Sequence, residues 1–173
     1  MVTYRTRTYI AGDWDNDKDA INQLRKWNDS SHWSLSFTDA HDLTSSRDSS
    51  LNCTIKSSLK TRMDASKSFV LIVGNRTASV KAGGCQLCRS YNGYTKHCVK
   101  GYCIDYRSFI EYECDEAINA GINIIVLYNA TCIDKAKCPD ELRGLGKHVT
   151  MKRKSIDGKC DWDYQSVKDA FDS

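Results

Sequence analysis

The chain of 173 residues lacks the features that would place it in several common classes. It has no run of about 18 apolar residues, so no transmembrane helix is expected. Its first residues, MVTYRTRTYIAGDW, carry no signal-peptide core, and the expectation is a soluble, cytoplasmic protein. An excess of one charge is missing too: 25 Lys and Arg stand against 22 Asp and Glu, interspersed, for a net charge of +3. Nucleic-acid binding gains no support from that balance, and no membrane partner is implied. No G-x-G-x-x-G follows the first predicted strand, no G-x-x-x-x-G-K-[ST] occurs, and G-x-S-x-G is absent. Dinucleotide-binding dehydrogenases, P-loop NTPases and α/β-hydrolases thereby lose their main signatures. There is one proline, Pro139, no internal repeat and no low-complexity tract. Sequons at Asn28, Asn52, Asn75 and Asn129 mean nothing for glycosylation without an export signal.

What the chain does have in number is cysteine. There are nine, an odd count, and with no export signal a disulfide framework is not the default. Cys85, Cys88, Cys98 and Cys103 crowd one glycine-bearing stretch, KAGGCQLCRSYNGYTKHCVKG, that lacks apolar periodicity. The C-x-x-C pair and the later C-x4-C pair could close a four-thiolate zinc site, with His97 as a substitute ligand. Reduced or partly disulfide-linked cysteines without metal, and redox chemistry, are the alternatives. A thioredoxin-type motif would sit at a strand-to-helix junction, which this stretch does not offer.

The most informative segment is YRSFIEYECDEAINAGINIIVLYN, residues 106–129. Phe109, Glu113 and Ala117 share one helical stripe, and Ile110, Cys114 and Ile118 the next. Gly121 is a natural C-terminal cap, and Ile122 to Tyr128 is the continuous apolar run of a strand buried on both faces. Glu113 lies on the stripe that should face the sheet. A carboxylate there must find a partner, shift its pKa upward or reach a cleft.

Elsewhere the rhythm repeats. Residues 5–11 read as a first strand, followed by the polar loop Asp13-Trp14-Asp15-Asn16-Asp17. Asp17 or Asn16 caps a helix to about Trp27 with Ile21, Leu24 and Trp27 inward. The D-x-D-x-D start of a calcium loop fails at Lys18 and Leu24, where a glycine and a bidentate glutamate are needed. Residues 32–37 alternate as a second strand and lead to Asp39, with His41 as a solvated loop residue. Residues 49–65 form a helix with Leu51, Ile55, Leu59 and Met63 inward, and residues 68–73 a third strand. Pro139 starts a short helix to Leu142, residues 147–151 form a last strand, and Asp161 caps a closing helix. The alternation predicts one α/β domain over residues 1–173: a parallel sheet, helices on both faces, and a Cys/Gly-rich insertion at about 81–104 before the third main helix.

The polar loop after the first strand, Phe37-Thr38-Asp39 after the second, VLIVG (residues 70–74) at the third, and Phe109-Ile110-Glu111-Tyr112-Glu113 leading into Ile124-Ile125-Val126-Leu127 together resemble a known pattern. It is similar to the TIR-like domain of bacterial Thoeris antiphage-defence proteins, relatives of Toll/interleukin-1 receptor domains, over roughly residues 3–128. The resemblance implies a flavodoxin-like fold and a signalling role. It further implies cleavage of NAD+ at the nicotinamide–ribose bond, giving ADP-ribose or a cyclic or conjugated ADP-ribose signal. Glu113 aligns with the family's catalytic glutamate, and Asp13, Trp14, Asp39 and Phe109 fall where the nucleotide would be bordered. The family often has tryptophan where Phe109 stands, and the cysteine stretch is outside its common pattern. Self-association and a downstream effector that senses the nucleotide signal are the implied partners. The rival expectation is a non-catalytic TIR-like interaction module, zinc-stabilised or not.

Overall fold

A computed structural model describes residues 7–33, 35, 37–38 and 51–173. Four parallel strands form the central sheet in the order β1-β2-β5-β6: β1 is Arg7–Ala11, β2 Ser66–Val73, β5 Asn123–Tyr128 and β6 Lys147–Thr150. The register aligns Tyr9 with Phe69, Phe69 with Ile124, and Leu127 with Val149. β2 and β5 are the two inner strands, and their unbroken apolar runs are what burial on both faces requires.

Helices cover both faces. α1 (Lys18–Asp29) and α4 (Tyr164–Phe171) pack on one side, against Ile10, Val70, Ile72, Ile125 and Leu127. α2 (Asn52–Asp64) and α3 (Phe109–Asn119) pack on the other, against Tyr9, Phe69, Leu71, Val126 and Tyr128. The two sets alternate along each strand, as successive side chains must. Each large side chain so buried contributes about 1.5–3 kcal/mol of transfer free energy.

The predicted layered α/β architecture is therefore present: a parallel sheet flanked by helices, in keeping with a TIR-like fold. Local details differ. Of the predicted second strand, the described residues 32–33, 35 and 37 are turn or irregular, while Leu35 and Phe37 are buried and the Thr8 N–H donates to the Thr38 carbonyl at 2.9 Å. Asp39 and His41 lie outside the described residues. The closing helix is capped by Asp163, whose carboxylate accepts from the Ser166 N–H; Asp161 sits instead in β8 (Cys160–Trp162), paired antiparallel with β7 (Lys152–Lys154). Between β2 and α3 the chain makes two 3-10 turns, Thr77–Ser79 and Cys85–Leu87, and a two-residue antiparallel ladder, β3 (Tyr91–Asn92) with β4 (His97–Cys98). Among the described residues no helix is long and apolar enough to cross a membrane.

Candidate functional site

α3 begins at a complete capping box. The Ser108 hydroxyl accepts from the Glu111 N–H at 3.1 Å, and the Glu111 carboxylate accepts from the Ser108 N–H at 2.6 Å. The residues before it are pinned as well. The Arg107 guanidinium forks onto Asp105 at 2.9 and 3.0 Å and reaches Asp115 at 2.6 Å. Lys56, buried on α2, donates to the Arg107 carbonyl at 2.6 Å and stands 3.3 Å from the Asp105 carboxylate. Both cations lie over the ring of Tyr112, which is buried.

This anchoring fixes the rotation of α3, and Glu113 consequently points inward. It is 4% exposed and its Oε1 accepts from the Tyr9 hydroxyl at 2.5 Å. Burial pushes its carboxyl up to about 7, and the Tyr9 hydrogen bond offsets part of that rise. Burial pushes the neighbouring Cys114 thiol up too, with the charge of Glu113 adding to it.

A second polar group gathers at the carboxyl ends of the strands. Asp13 closes the loop after β1, its carboxylate accepting from the Asp15 and Asn16 N–H groups and from the Asn16 amide. Asp17 is at the N-cap of α1 but makes no side-chain cap bond. Its carboxylate is drawn inward instead, to the Asn129 amide at 3.0 Å at the end of β5, and wedges against Gly74 at the end of β2. The same amide donates to Asp19 at 2.9 Å, and Lys152 pairs with Asp19 at 3.2 Å. Burial raises the Asp17 carboxyl above the ordinary range, the Asn129 bond works against that, and the charges of Asp13 and Asp19 add to it. Burial acts on Asp19 as well, but the bonds from Asn129 and Lys152 outweigh it and hold that carboxyl low. Asp17 Oδ2 and Asn129 Oδ1 are buried without a hydrogen-bond partner among the described residues.

The sequence candidates are thus distributed over two faces. Glu113 and half-buried Phe109 belong to the α2/α3 side. Half-buried Trp14 packs with the α1/α4 side, under the Arg25 guanidinium at 5.1 Å. Asp13 is held within the loop after β1 by Asn16, and Asp39 is outside the described residues. Cys85, Cys88, Cys98 and Cys103 line one small cavity, joined by Cys53 from α2, but among the described residues no three or more His, Cys, Asp or Glu side chains are close enough to hold a metal ion. Sequence reasoning did not find Tyr9, Asp17, Asn129 or Cys53 as members of these groups. Their partners lie 30 to more than 100 positions away along the chain, and no local spacing signals such pairs.

Residues 9–82 match the family model described as Thoeris protein ThsB, TIR-like domain. The stretch runs from β1 through β2 and ends just before Cys85, so the resemblance read from the sequence is borne out there. It spans 74 of the 173 residues and includes Cys53 but neither α3 nor Cys85, Cys88, Cys98 and Cys103. No curated protein matches the chain.

Proposed function

We propose that the protein is a TIR-like signalling enzyme of antiphage defence that cleaves NAD+ at the nicotinamide–ribose bond. The observation that carries this reading is Glu113: a carboxyl buried to 4% exposure, held by Tyr9, and pushed to about 7. Buried carboxyls with specific partners and shifted pKa values concentrate at functional sites. The chemistry suits a single carboxylate. Nicotinamide in NAD+ is already a cationic leaving group and needs no acid to protonate it, unlike the aglycone of ordinary glycosides. The work left is to hold the ribose and stabilise the oxocarbenium-like centre as the bond breaks, which a pre-positioned carboxylate in a dry site does well.

In this reading Asp13, Trp14, Asp39 and Phe109 border the nucleotide, as the family resemblance implies. Water as acceptor gives ADP-ribose; an internal nucleophile or another small molecule gives a cyclic or conjugated signal for a downstream effector. The test is incubation of concentrated protein with NAD+, with and without lysate of phage-infected cells, following nicotinamide release. Release that disappears in Glu113→Gln, with circular dichroism unchanged, supports the reading. No nicotinamide under any condition overturns it.

The enclosure of the same carboxyl favours a second reading. At 4% exposure, and bonded to a core tyrosine, Glu113 also fits a purely structural pair inside a non-catalytic interaction module. That module would turn over no NAD+ and would self-associate, which light scattering on a sizing column measures directly.

A further inference from the structure

Five of the nine cysteines, from two separate parts of the chain, face one cavity of about 10 Å3, together with Tyr91, Tyr102 and Ile104. Cys85 is buried, Cys53, Cys88 and Cys98 are half-buried, and Cys103 is exposed. All five are free thiols. Cys85 opens the 3-10 turn that ends at Cys88, whose N–H donates back to the Cys85 carbonyl at 2.9 Å. The Asp105 N–H donates to Cys85 Sγ at 3.2 Å, which fixes the position of that sulfur. Lys56, one helical turn beyond Cys53 on α2, keeps a buried positive charge on that side.

We propose that this cluster is a structural zinc site with Cys53, Cys85, Cys88 and Cys98 as its four ligands, clamping the segment between β2 and α3 onto α2. Soft thiolates in a set of four select zinc over harder cations, and a closed site excludes water, which favours Cys53 over the exposed Cys103 as the fourth ligand. Binding converts four thiols to thiolates and releases four protons to solvent, leaving a site of charge −2 near the Lys56 ammonium.

The sulfurs ring the cavity at wider spacing than a metal's inner shell. Among the described residues no group of three or more His, Cys, Asp or Glu is close enough together to hold an ion. Bringing four sulfurs to about 2.3 Å from one centre therefore requires the segment to close. Gly93 and Gly101, the latter with φ +74°, have open space around them and flank the β4 strand that carries Cys98. The movement stays within the segment, because its ends are tied to the core by the Cys85–Asp105 and Phe109–Ala82 backbone bonds.

The full chain, expressed in zinc-supplemented medium and purified under reducing conditions, is analysed by mass spectrometry for bound metal. About one zinc per chain is expected, lost in Cys53→Ser and retained in Cys103→Ser. Chelation is expected to speed protease cleavage within residues 86–104 while helical content stays constant. Cobalt substitution of the wild-type chain gives an independent reading that survives a misfolding variant: tetrahedral thiolate coordination shows intense visible bands with sulfur charge-transfer. Absence of metal after both expression and titration with zinc chloride overturns the proposal. So does an intact mass reduced by 2 Da per cysteine pair in place of bound zinc. Zinc retained in Cys53→Ser but lost in Cys103→Ser overturns the assignment of Cys53. None of these readouts depends on turnover of NAD+.

Discussion

The Tyr9 hydroxyl and the Glu113 carboxyl, 104 positions apart, meet at 2.5 Å between the first strand and the third helix. Tyr9 is itself fully buried and stacks on Phe69 with ring centroids 5.9 Å apart, so the donor is held in place by the sheet. The pair is a polar bond inside an apolar layer, and its cost and benefit both depend on protonation.

Glu113 makes stability depend on pH. Its carboxyl moves from the ordinary 4.5 to about 7 on folding because of burial, less the effect of Tyr9. Between those values the folded chain keeps a proton that the unfolded chain has released. Stability therefore falls as pH rises through that window and levels off above it. Glu113→Gln abolishes this dependence. The difference in unfolding free energy between variant and wild type should shift by about 2–3 kcal/mol toward the variant from pH 5 to pH 8. Urea denaturation at both values measures it, and a constant difference contradicts the assignment.

Tyr9→Phe removes the donor and keeps the ring. The carboxyl then lies buried without that bond, and stability should drop by about 1–3 kcal/mol, more at pH 8 than at pH 5 because the bond favours the charged form. Equilibrium denaturation gives the loss. Carboxyl titration by nuclear magnetic resonance should place the Glu113 pKa higher in the variant than in the wild type.

Gly74 is required by its neighbour. A Cβ at this position would collide with the Asp17 carboxylate, while the Gly74 N–H already donates to the Thr77 hydroxyl at 2.8 Å. Gly74→Ala should cost about 1–3 kcal/mol by overpacking. Asp17→Ser in the same chain should recover part of the loss, a coupling that a double-mutant cycle reads directly. Additive losses contradict the proposed clash.

The segment around α3 and β5 was legible because burial imposes period on sequence. Ile110, Cys114 and Ala117 recur at helical spacing, Gly121 adopts φ +61°, and the apolar run that follows is an inner strand. The β7–β8 hairpin was not legible: Lys152, Arg153 and Lys154 have no inward apolar alternation. Its one local signal was Asp157-Gly158 at the turn, where Gly158 has φ +80°. Asp17 misled for a different reason. Its position marks a helix cap, yet a buried amide at Asn129 competes for the same carboxylate, and only the folded sheet brings that amide near. The same holds for Cys53, whose helical spacing says nothing about thiols 32 or more positions later.

Residues 85 and 105 exchange two bonds, the Cys85 N–H to the Asp105 carbonyl at 2.9 Å and the Asp105 N–H to the Cys85 sulfur at 3.2 Å. A chain pinned at its neck in this way is a pouch: lengthening it costs only the slow, logarithmic entropy of a larger ring. Residues added between positions 86 and 104 would therefore lengthen the loop without displacing Glu113, whose helix is anchored beyond the neck.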